Sequence, residues 1–280
     1  MKVRLMSNNQ WKWDDNAPYW KQRGLDCSAE HREKGFADFY QETNPDVIGM
    51  QEVSPRMADR LMRELQARSL PFALVWGRDT PIFYRTDRLE LVDSAFLIYP
   101  RSVPGLEGEY NNGDTKSYSV AVFRAKEENK LFAFMSTHLW WKSDDPASMH
   151  YQAGSGLARA YQIKIAIQKL DEFQRQYDIP QVLVGDFNTS YNSEPIRAAF
   201  AGGFAHAHDV AAEFADETNG HHSLGPEVIT PYLPKPFAQG IDHILVRNMK
   251  PGFVRRFQRS MPESYLLLSD HAPVWIDAEL

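Results

Sequence analysis

The chain has 280 residues, 43% of them hydrophobic, with 37 acidic against 31 basic residues and a formal net charge of −6. A chain of this length buries roughly three quarters of its unfolded surface on folding, and its acidic balance opposes non-specific attraction to a nucleic-acid backbone. The single cysteine, Cys27, excludes an intrachain disulfide and a cysteine-based zinc site.

Val3–Asn9 is the first strand pattern, and Met1–Leu5 runs into it with no apolar signal segment. No stretch reaches the roughly 18 apolar residues of a membrane span, so a cytoplasmic protein without a transmembrane segment is expected. A polar, aromatic-rich stretch, Trp11–Cys27, precedes a helix over His31–Thr43 that ends before Pro45. A strand over Val47–Glu52 leads to a helix over Pro55–Arg68. There Ser54 is placed as N-cap and Pro55 as first residue, with Met57, Leu61, Met62 and Leu65 on one side. Strands follow at Ala73–Trp76, Ile82–Arg85, Ser117–Arg124 and Leu131–His138. Several succeed one another without a helix between them, which argues for antiparallel or mixed sheets in an α/β protein and against a doubly wound parallel sheet.

After a second polar stretch, Trp140–Gly154, a long helix opens near Ser155. Its apolar residues Leu157, Ala160, Tyr161, Ile163, Ala166, Ile167 and Leu170 recur at spacings of three and four and form a core face. Strands over Val182–Asp186, Ile241–Val246 and Pro273–Glu279 complete the chain, with a third long polar stretch at Asn219–Gln239. No linker or repeat divides these elements, so one domain over residues 1–280 is the simplest organisation. Loops of this length are more often functional or disordered than idle. Trp11, Trp13, Tyr19, Trp20, Trp140, Trp141 and Tyr232 either line a substrate cleft or pack back on the sheet edges.

Polar strings sit where apolar strands end: Ser7-Asn8-Asn9, Gln51-Glu52, Thr137-His138, Asp186 with Asn188, Asp242, and Asp270-His271. Short polar side chains compete for backbone hydrogen bonds and are depleted in strands, so each string marks either a turn or a site. Glu52 is a hard oxygen ligand suited to Mg²⁺ or Mn²⁺ if it faces a cleft. Alternation puts Asn9 on the face of Ser7 and Leu5 and turns Asn8 away. Asp186 and Asn188 share a face if the strand persists, offering an acceptor for a water proton and an amide to hold the same water. Asp270 offers a ligand beside His271, and Asp242 is a partner able to fix the imidazole tautomer and hold it protonated. His206 and His208, with His221-His222, are read as surface histidines near loops, not a zinc centre. Gly154-Ser155-Gly156 is read as the start of the long helix, and Asp144-Asp145 as a solvated turn.

The ordered set Asn9, Gln51-Glu52, Ile82-Phe83-Tyr84-Arg85, Ser136-Thr137-His138-Leu139, Gly185-Asp186-Phe187-Asn188, Ile241-Asp242-His243-Ile244 and Ser269-Asp270-His271-Ala272-Pro273 resembles the endonuclease/exonuclease/phosphatase family, the deoxyribonuclease I-like superfamily. The resemblance covers nearly the whole chain. It implies a four-layer sandwich of two mixed, mostly antiparallel sheets packed face to face with helices outside, and metal-dependent hydrolysis of a phosphate ester. Glu52 is then the principal Mg²⁺ or Mn²⁺ ligand with Asn9 and Asp270 nearby. Asp186 orients or deprotonates water, Asn188 positions it, and His271, held by Asp242, stabilises the phosphoryl oxygens. His138 stands where phosphatase-like and sphingomyelinase-like members carry a phosphate-contacting histidine, and where abasic-site nucleases differ. Tyr84, Arg85, Trp11 and Trp140 join His138 and Asn188 as substrate-binding candidates.

Two departures from the family pattern stand out. Where nucleases of the family often carry an aspartate two residues after the first-strand Asn, this chain has Trp11, which puts a second metal ligand in doubt. The Trp-rich segment that follows matches no subgroup. Arg32 and Arg159 fall where many members carry arginine, with a solvated helix face as the simpler reading. The expectation is a phosphomonoesterase or phosphodiesterase acting on a small, lipid-like or carbohydrate-bearing phosphate ester. The alternatives are a Mg²⁺-dependent nuclease acting on DNA or RNA, and a binding module that has lost catalysis. No protein partner is indicated.

Overall fold

The structure is a computed structural model that describes residues 1–280 apart from 13, 17, 23, 217–239, 260, 261 and 266. In chain order its elements are β1 (Lys2–Asn9), α1 (Pro18–Lys21), α2 (Ala29–Thr43), β2 (Val47–Gln51), α3 (Pro55–Ala67), β3 (Phe72–Val75), β4 (Ile82–Arg85), β5 (Leu89–Ile98), β6 (Ser117–Ala125) and β7 (Lys130–His138). There follow α4 (Ser155–Tyr177), β8 (Gln181–Asp186), α5 (Glu194–Ala201), β9 (Ala205–His206), α6 (Ala207–Val210), β10 (Glu213–Asp216), β11 (Asp242–Arg247), β12 (Val254–Arg259) and β13 (Val274–Glu279). The Asn219–Gln239 stretch, with Tyr232 and His221-His222, lies outside the described residues, as do Trp13 and the side chains of Tyr19 and Trp20.

Two sheets form, one in the order β10-β12-β13-β1-β2-β4-β3 and the other β5-β6-β7-β8-β11-β9. Both are mixed: β1 pairs parallel with β2, β10 with β12, and β7 with β8, while the other ladders are antiparallel. Side chains alternate across each strand, and the sequence supplies apolar groups for both faces. Leu5, Val47, Ile82, Phe134, Val182, Val184, Ile244 and Ile276 fill the space between the sheets. Met6, Ile48, Met50 and Trp275 point outward and bury against Phe36, Phe39 and Tyr40 of α2 and Leu61 and Leu65 of α3. On the other side Val120, Met135, Leu183 and Leu245 meet Ile163, Ala166 and Leu170 of α4 and Ile196 of α5. The result is the expected helix–sheet–sheet–helix stack.

Local signals account for the helix ends. Ser54 Oγ accepts the Met57 amide at 3.0 Å with Pro55 at the first turn, so α3 starts with one of its orphan donors satisfied. In α4, Ala160, Ile163, Ala166, Ile167 and Leu170 are buried as their spacing predicts. Leu157 is exposed instead, and Arg159 and Gln162 are buried in the turn beside it. The half-exposed edge strand β5 and the arginine-rich β12 lie outside the sequence expectation because neither carries a clean apolar alternation. Among the described residues no helix is long and apolar enough to cross a membrane.

Candidate active site

The strand register gathers the polar strings at one end of the sandwich. β1 and β2 run parallel with Asn9 opposite Gln51, and β7 and β8 run parallel with His138 opposite Asp186. Antiparallel to β8, β11 starts with Asp242 opposite Asp186. The Ser269-Asp270-His271 segment leads into β13, antiparallel to β1. The carboxyl ends of the parallel pairs and the amino ends of their antiparallel neighbours thus meet, and Asn9 Nδ2 donates across the sheets to Asp186 Oδ2 at 3.0 Å.

Backbone geometry makes the approach feasible. A Cβ on Gly185 would lie 1.9 Å from the Thr137 carbonyl oxygen, so only glycine lets β8 pass β7 this closely. Glu52 and Asn188 both adopt positive φ, 57° and 51°, a conformation that costs energy for non-glycine residues and clusters at sites. The β8 strand ends at Asp186, so Asn188 does not share its face by alternation. Instead a turn brings it in: Asp186 Oδ1 accepts the Asn188 amide at 2.8 Å and Asn188 Nδ2 donates to the Leu139 carbonyl at 3.1 Å. Ser269 Oγ donates to the Asn9 carbonyl at 2.7 Å and accepts the His271 amide at 3.1 Å, which fastens the C-terminal string to β1.

His271 Nδ1 lies 2.8 Å from Asp242 Oδ2, while its Nε2 lies 3.9 Å from Asp186 Oδ2 and 3.8 Å from Asp270 Oδ1. Burial favours the neutral ring, yet the Asp242, Asp270 and Asp186 carboxylates together hold His271 well above the ordinary histidine range. His138 Nε2 stands 3.5 Å from the same Asp186 Oδ2 and 3.9 Å from Glu52 Oε1. Burial and the Lys116 cation push it well below that range. Burial also pushes Asp186 up to about 6, with Asp242 adding to the shift and His271 opposing it. Asp270 is pushed up to about 7, again chiefly by burial.

A divalent cation fits this donor set. Oxygen or nitrogen atoms of Glu52, His138 and Asp186 lie within 4.8 Å of one another, and so do those of Asp186, Asp242 and His271. Among the described residues Asp270 Oδ1 and Asp242 Oδ1 are buried with no hydrogen-bond partner, an arrangement that leaves carboxylate lone pairs available to a hard cation. Asn9 presents its amide nitrogen to Glu52 Oε1 at 3.3 Å as well as to Asp186, and its oxygen accepts the Trp11 amide at 2.9 Å. In this arrangement Asn9 is a donor to the carboxylates, and ligation by it would need the amide turned over.

Three of the substrate-binding candidates are engaged in other contacts. Antiparallel to β2, β4 sets Tyr84 opposite Val47, at the end of the sheet remote from Glu52. There Tyr84 packs on Phe123 and Arg85 bonds to Asp87 and Asn44. Trp140 is buried beside Tyr110, Val103 and Ala158, with its amide held by Gln162. Trp11, in contrast, stays half-buried beside Asn9, with the Arg32 guanidinium 5.5 Å from its ring.

Neither arginine on the helices is solvated. Arg32 is buried and donates to the carbonyls of Cys27, Gln10, Leu268 and Trp11. It clamps the segments that carry Asn9 and Ser269. Arg159 is buried and donates to the Trp140 and Lys142 carbonyls. His206 is likewise buried, 3.1 Å from His243, and is no surface histidine. The residue that sequence reasoning missed is Lys116. It is 4% exposed, with Nζ 2.6 Å from His138 Nε2. A lysine just before a strand is ordinarily solvated, so the sequence carries no signal for it.

Residues 23–271 match the profile of the Endonuclease/Exonuclease/phosphatase family. No curated protein sequence matches the chain significantly. Among solved structures, an endonuclease/exonuclease/phosphatase family protein from Bacteroides thetaiotaomicron superposes with a TM-score of 0.73 at 20% identity, covering 99% of this chain and 94% of that one. A mannosyl-6-phosphatase from the same species gives 0.71 at 21% identity, covering 99% and 100%. The human Nocturnin catalytic domain gives 0.63 at 17% identity, covering 99% and 94%. These likenesses concern the fold. With the family profile spanning most of its length, the chain belongs to the endonuclease/exonuclease/phosphatase family and so to the hydrolases of phosphate esters.

Proposed function

We propose that the protein is a divalent-metal-dependent phosphoesterase that hydrolyses a mono- or diester of a small, lipid-like or carbohydrate-bearing substrate, carried by one domain over residues 1–280. The observation that carries this reading is the pairing of His271 with Asp242 at 2.8 Å, opposite the buried Asp186 carboxylate and beside Glu52. Glu52 and Asp270, with Asp186 near, would hold Mg²⁺ or Mn²⁺, which supplies Lewis-acid polarisation of a phosphate oxygen.

The chain's own residues account for the remaining work. Asp186, pushed up to about 6 by burial, is a carboxylate at neutral pH basic enough to accept a proton from an in-line water. Asn188, tied to Asp186 and Leu139, keeps an amide beside that water. His271, kept cationic by its carboxylates, neutralises charge that grows on the phosphoryl oxygens. His138, kept neutral by burial and Lys116, accepts from the Lys116 ammonium through Nε2 and orients it without adding a second full charge. Two imidazoles with opposite preferences around one carboxylate give a division of acid–base roles.

Three features support a small ester over nucleic acid: the Thr137-His138-Leu139 string, the net charge of −6 and the likeness to a mannosyl-6-phosphatase. The nuclease reading draws on a zebrafish TDP2 complexed with single-strand DNA product, which superposes with a TM-score of 0.63 at 15% identity. Assaying Mg²⁺- or Mn²⁺-dependent turnover of p-nitrophenyl phosphate, bis(p-nitrophenyl) phosphate and plasmid DNA side by side separates the two. We expect release from at least one small ester. Efficient plasmid nicking without small-ester turnover reverses the preference, and no hydrolysis of any of them with either metal leaves the binding-module reading.

A further inference from the structure

Lys116 precedes β6 and is built into place. Asn111, fully buried, accepts the Lys116 amide at 3.0 Å and donates to the carbonyls of Lys116 at 2.8 Å and Tyr99 at 2.7 Å. The Tyr99 amide donates to the same Lys116 carbonyl at 2.9 Å, and the Tyr99 hydroxyl bonds Thr137 Oγ1 at 2.7 Å, one residue before His138. This scaffold fixes a lysine whose flexible stem is normally left to solvent.

The side chain ends among charges but joins none of them. Its Nζ meets His138. Among the described residues no carboxylate forms an ion pair with it; burial pushes the ammonium below the ordinary lysine range, and Glu52, Asp186 and Asp79 oppose that through space. Asp79 is taken by Lys12, whose Nζ lies 2.6 Å from Asp79 Oδ1. A buried ammonium held off its carboxylates is costly unless an anion completes its coordination. Two residues after Asn9 the chain carries Trp11, which offers no ligand to a second cation. The site thus has an apolar ring at that position and a buried lysine beside His138 that an anion would hold in its charged form.

We propose that Lys116 supplies the second positive charge of this site: it binds a non-bridging oxygen of the substrate's phosphoryl group, so that a single divalent ion completes the centre. The inference rests on the phosphoesterase reading. His138 Nε2, 2.6 Å away, accepts one proton of the ammonium and so aims the others. His271 lies across Asp186 from them.

Metal stoichiometry on the wild-type chain tests the first half without any variant. Equilibrium dialysis against Mn²⁺ is expected to give one ion per chain, and two tightly bound ions overturn the proposal. Titration calorimetry with inorganic phosphate on the Mn²⁺-loaded protein tests the second. Lys116→Met is expected to weaken phosphate binding at least about tenfold, as loss of a charge-assisted hydrogen bond does, and Lys116→Arg to restore most of it. Because the methionine keeps the apolar stem, thermal unfolding should show a folded variant. If it does not, Lys116→Arg decides, since phosphate binding by a folded arginine variant near the wild-type value supports a charge role and loss of binding refutes it. A wild type that hydrolyses phosphate esters while Lys116→Met binds phosphate as tightly as wild type defeats the Lys116 assignment alone. A wild type that hydrolyses none defeats the underlying function.

Discussion

His271 and His138 stand 3.9 and 3.5 Å from the same oxygen of Asp186, yet their surroundings drive them to opposite charge states. The difference lies in what each ring meets elsewhere. Asp242 takes Nδ1 of His271 at 2.8 Å, whereas His138 meets the Lys116 ammonium at 2.6 Å. If His271 acts as a fixed cation toward the phosphoryl group, His271→Ala should lower kcat by about a thousandfold with little change in KM, the scale of losing one oriented transition-state donor. Asp242→Asn keeps the hydrogen bond but removes the charge, so its kcat should fall by a smaller factor. Steady-state kinetics on variants shown to be folded by circular dichroism make the comparison. Near wild-type turnover in folded His271→Ala would refute the assigned role. The Asp–His pair was readable in the sequence because both residues interrupt apolar strands, where short polar side chains are disfavoured. Lys116 was not, because a lysine bordering a strand looks the same whether tertiary packing buries it or leaves it wet.

At the level of elements, a histidine relay ties β9 and β11 to the loop that carries Asn188. The His208 amide donates to His206 Nδ1 at 3.2 Å, which leaves the His206 proton on Nε2, aimed at His243 Nδ1 3.1 Å away. His243 Nε2 then donates to the Thr189 carbonyl at 2.8 Å. Both rings are neutral in this directional chain, and burial pushes His243 down to about 4 and His206 in the same direction. An unfolded histidine takes up its proton near pH 6.5, which native His243 refuses until about 4. The stability contributed by native neutral His243 is therefore full above pH 6.5 and lost progressively as pH falls toward 4. Replacing the ring should cost less in acid: the destabilisation caused by His243→Gln should be about 2 kcal/mol smaller at pH 5 than at pH 7.5. Urea unfolding of both proteins at the two pH values measures this, and an equal cost at both contradicts a buried neutral ring. The same elements mark where sequence reading stops. Central strands such as β1, β7 and β8 were legible because both faces demand apolar residues. Strand β9 has two residues and β5 is a half-exposed edge, so neither leaves a periodic signature, and the burial of His206 follows only from the pairing of β9 with β11.

Across the whole molecule, the order of the polar strings was readable but their convergence was not, since it depends on two sheets facing each other with parallel pairs in matching register. That register sets Glu52, Asp186, Asp242 and Asp270 around one point, although Glu52 and Asp270 are 218 positions apart in the numbering. Arg32 shows the same dependence, since its four carbonyl partners span Gln10 to Leu268. Gathering carboxylates is unfavourable by itself, and the upward displacement of Asp186 and Asp270 records that cost together with burial. A cation bound only by the folded chain offsets it and stabilises by mass action. At a concentration one hundred times its dissociation constant, the gain is about 2.7 kcal/mol. For a chain of this size that corresponds to a rise in Tm of roughly 5 °C. Thermal unfolding should therefore shift upward on adding Mn²⁺ or Mg²⁺ and return on chelation. The shift should largely vanish in Glu52→Gln, which keeps the side-chain volume while removing the charge. An equal shift in Glu52→Gln and wild type would place the stabilising ion elsewhere and separate the acidic cluster from metal binding.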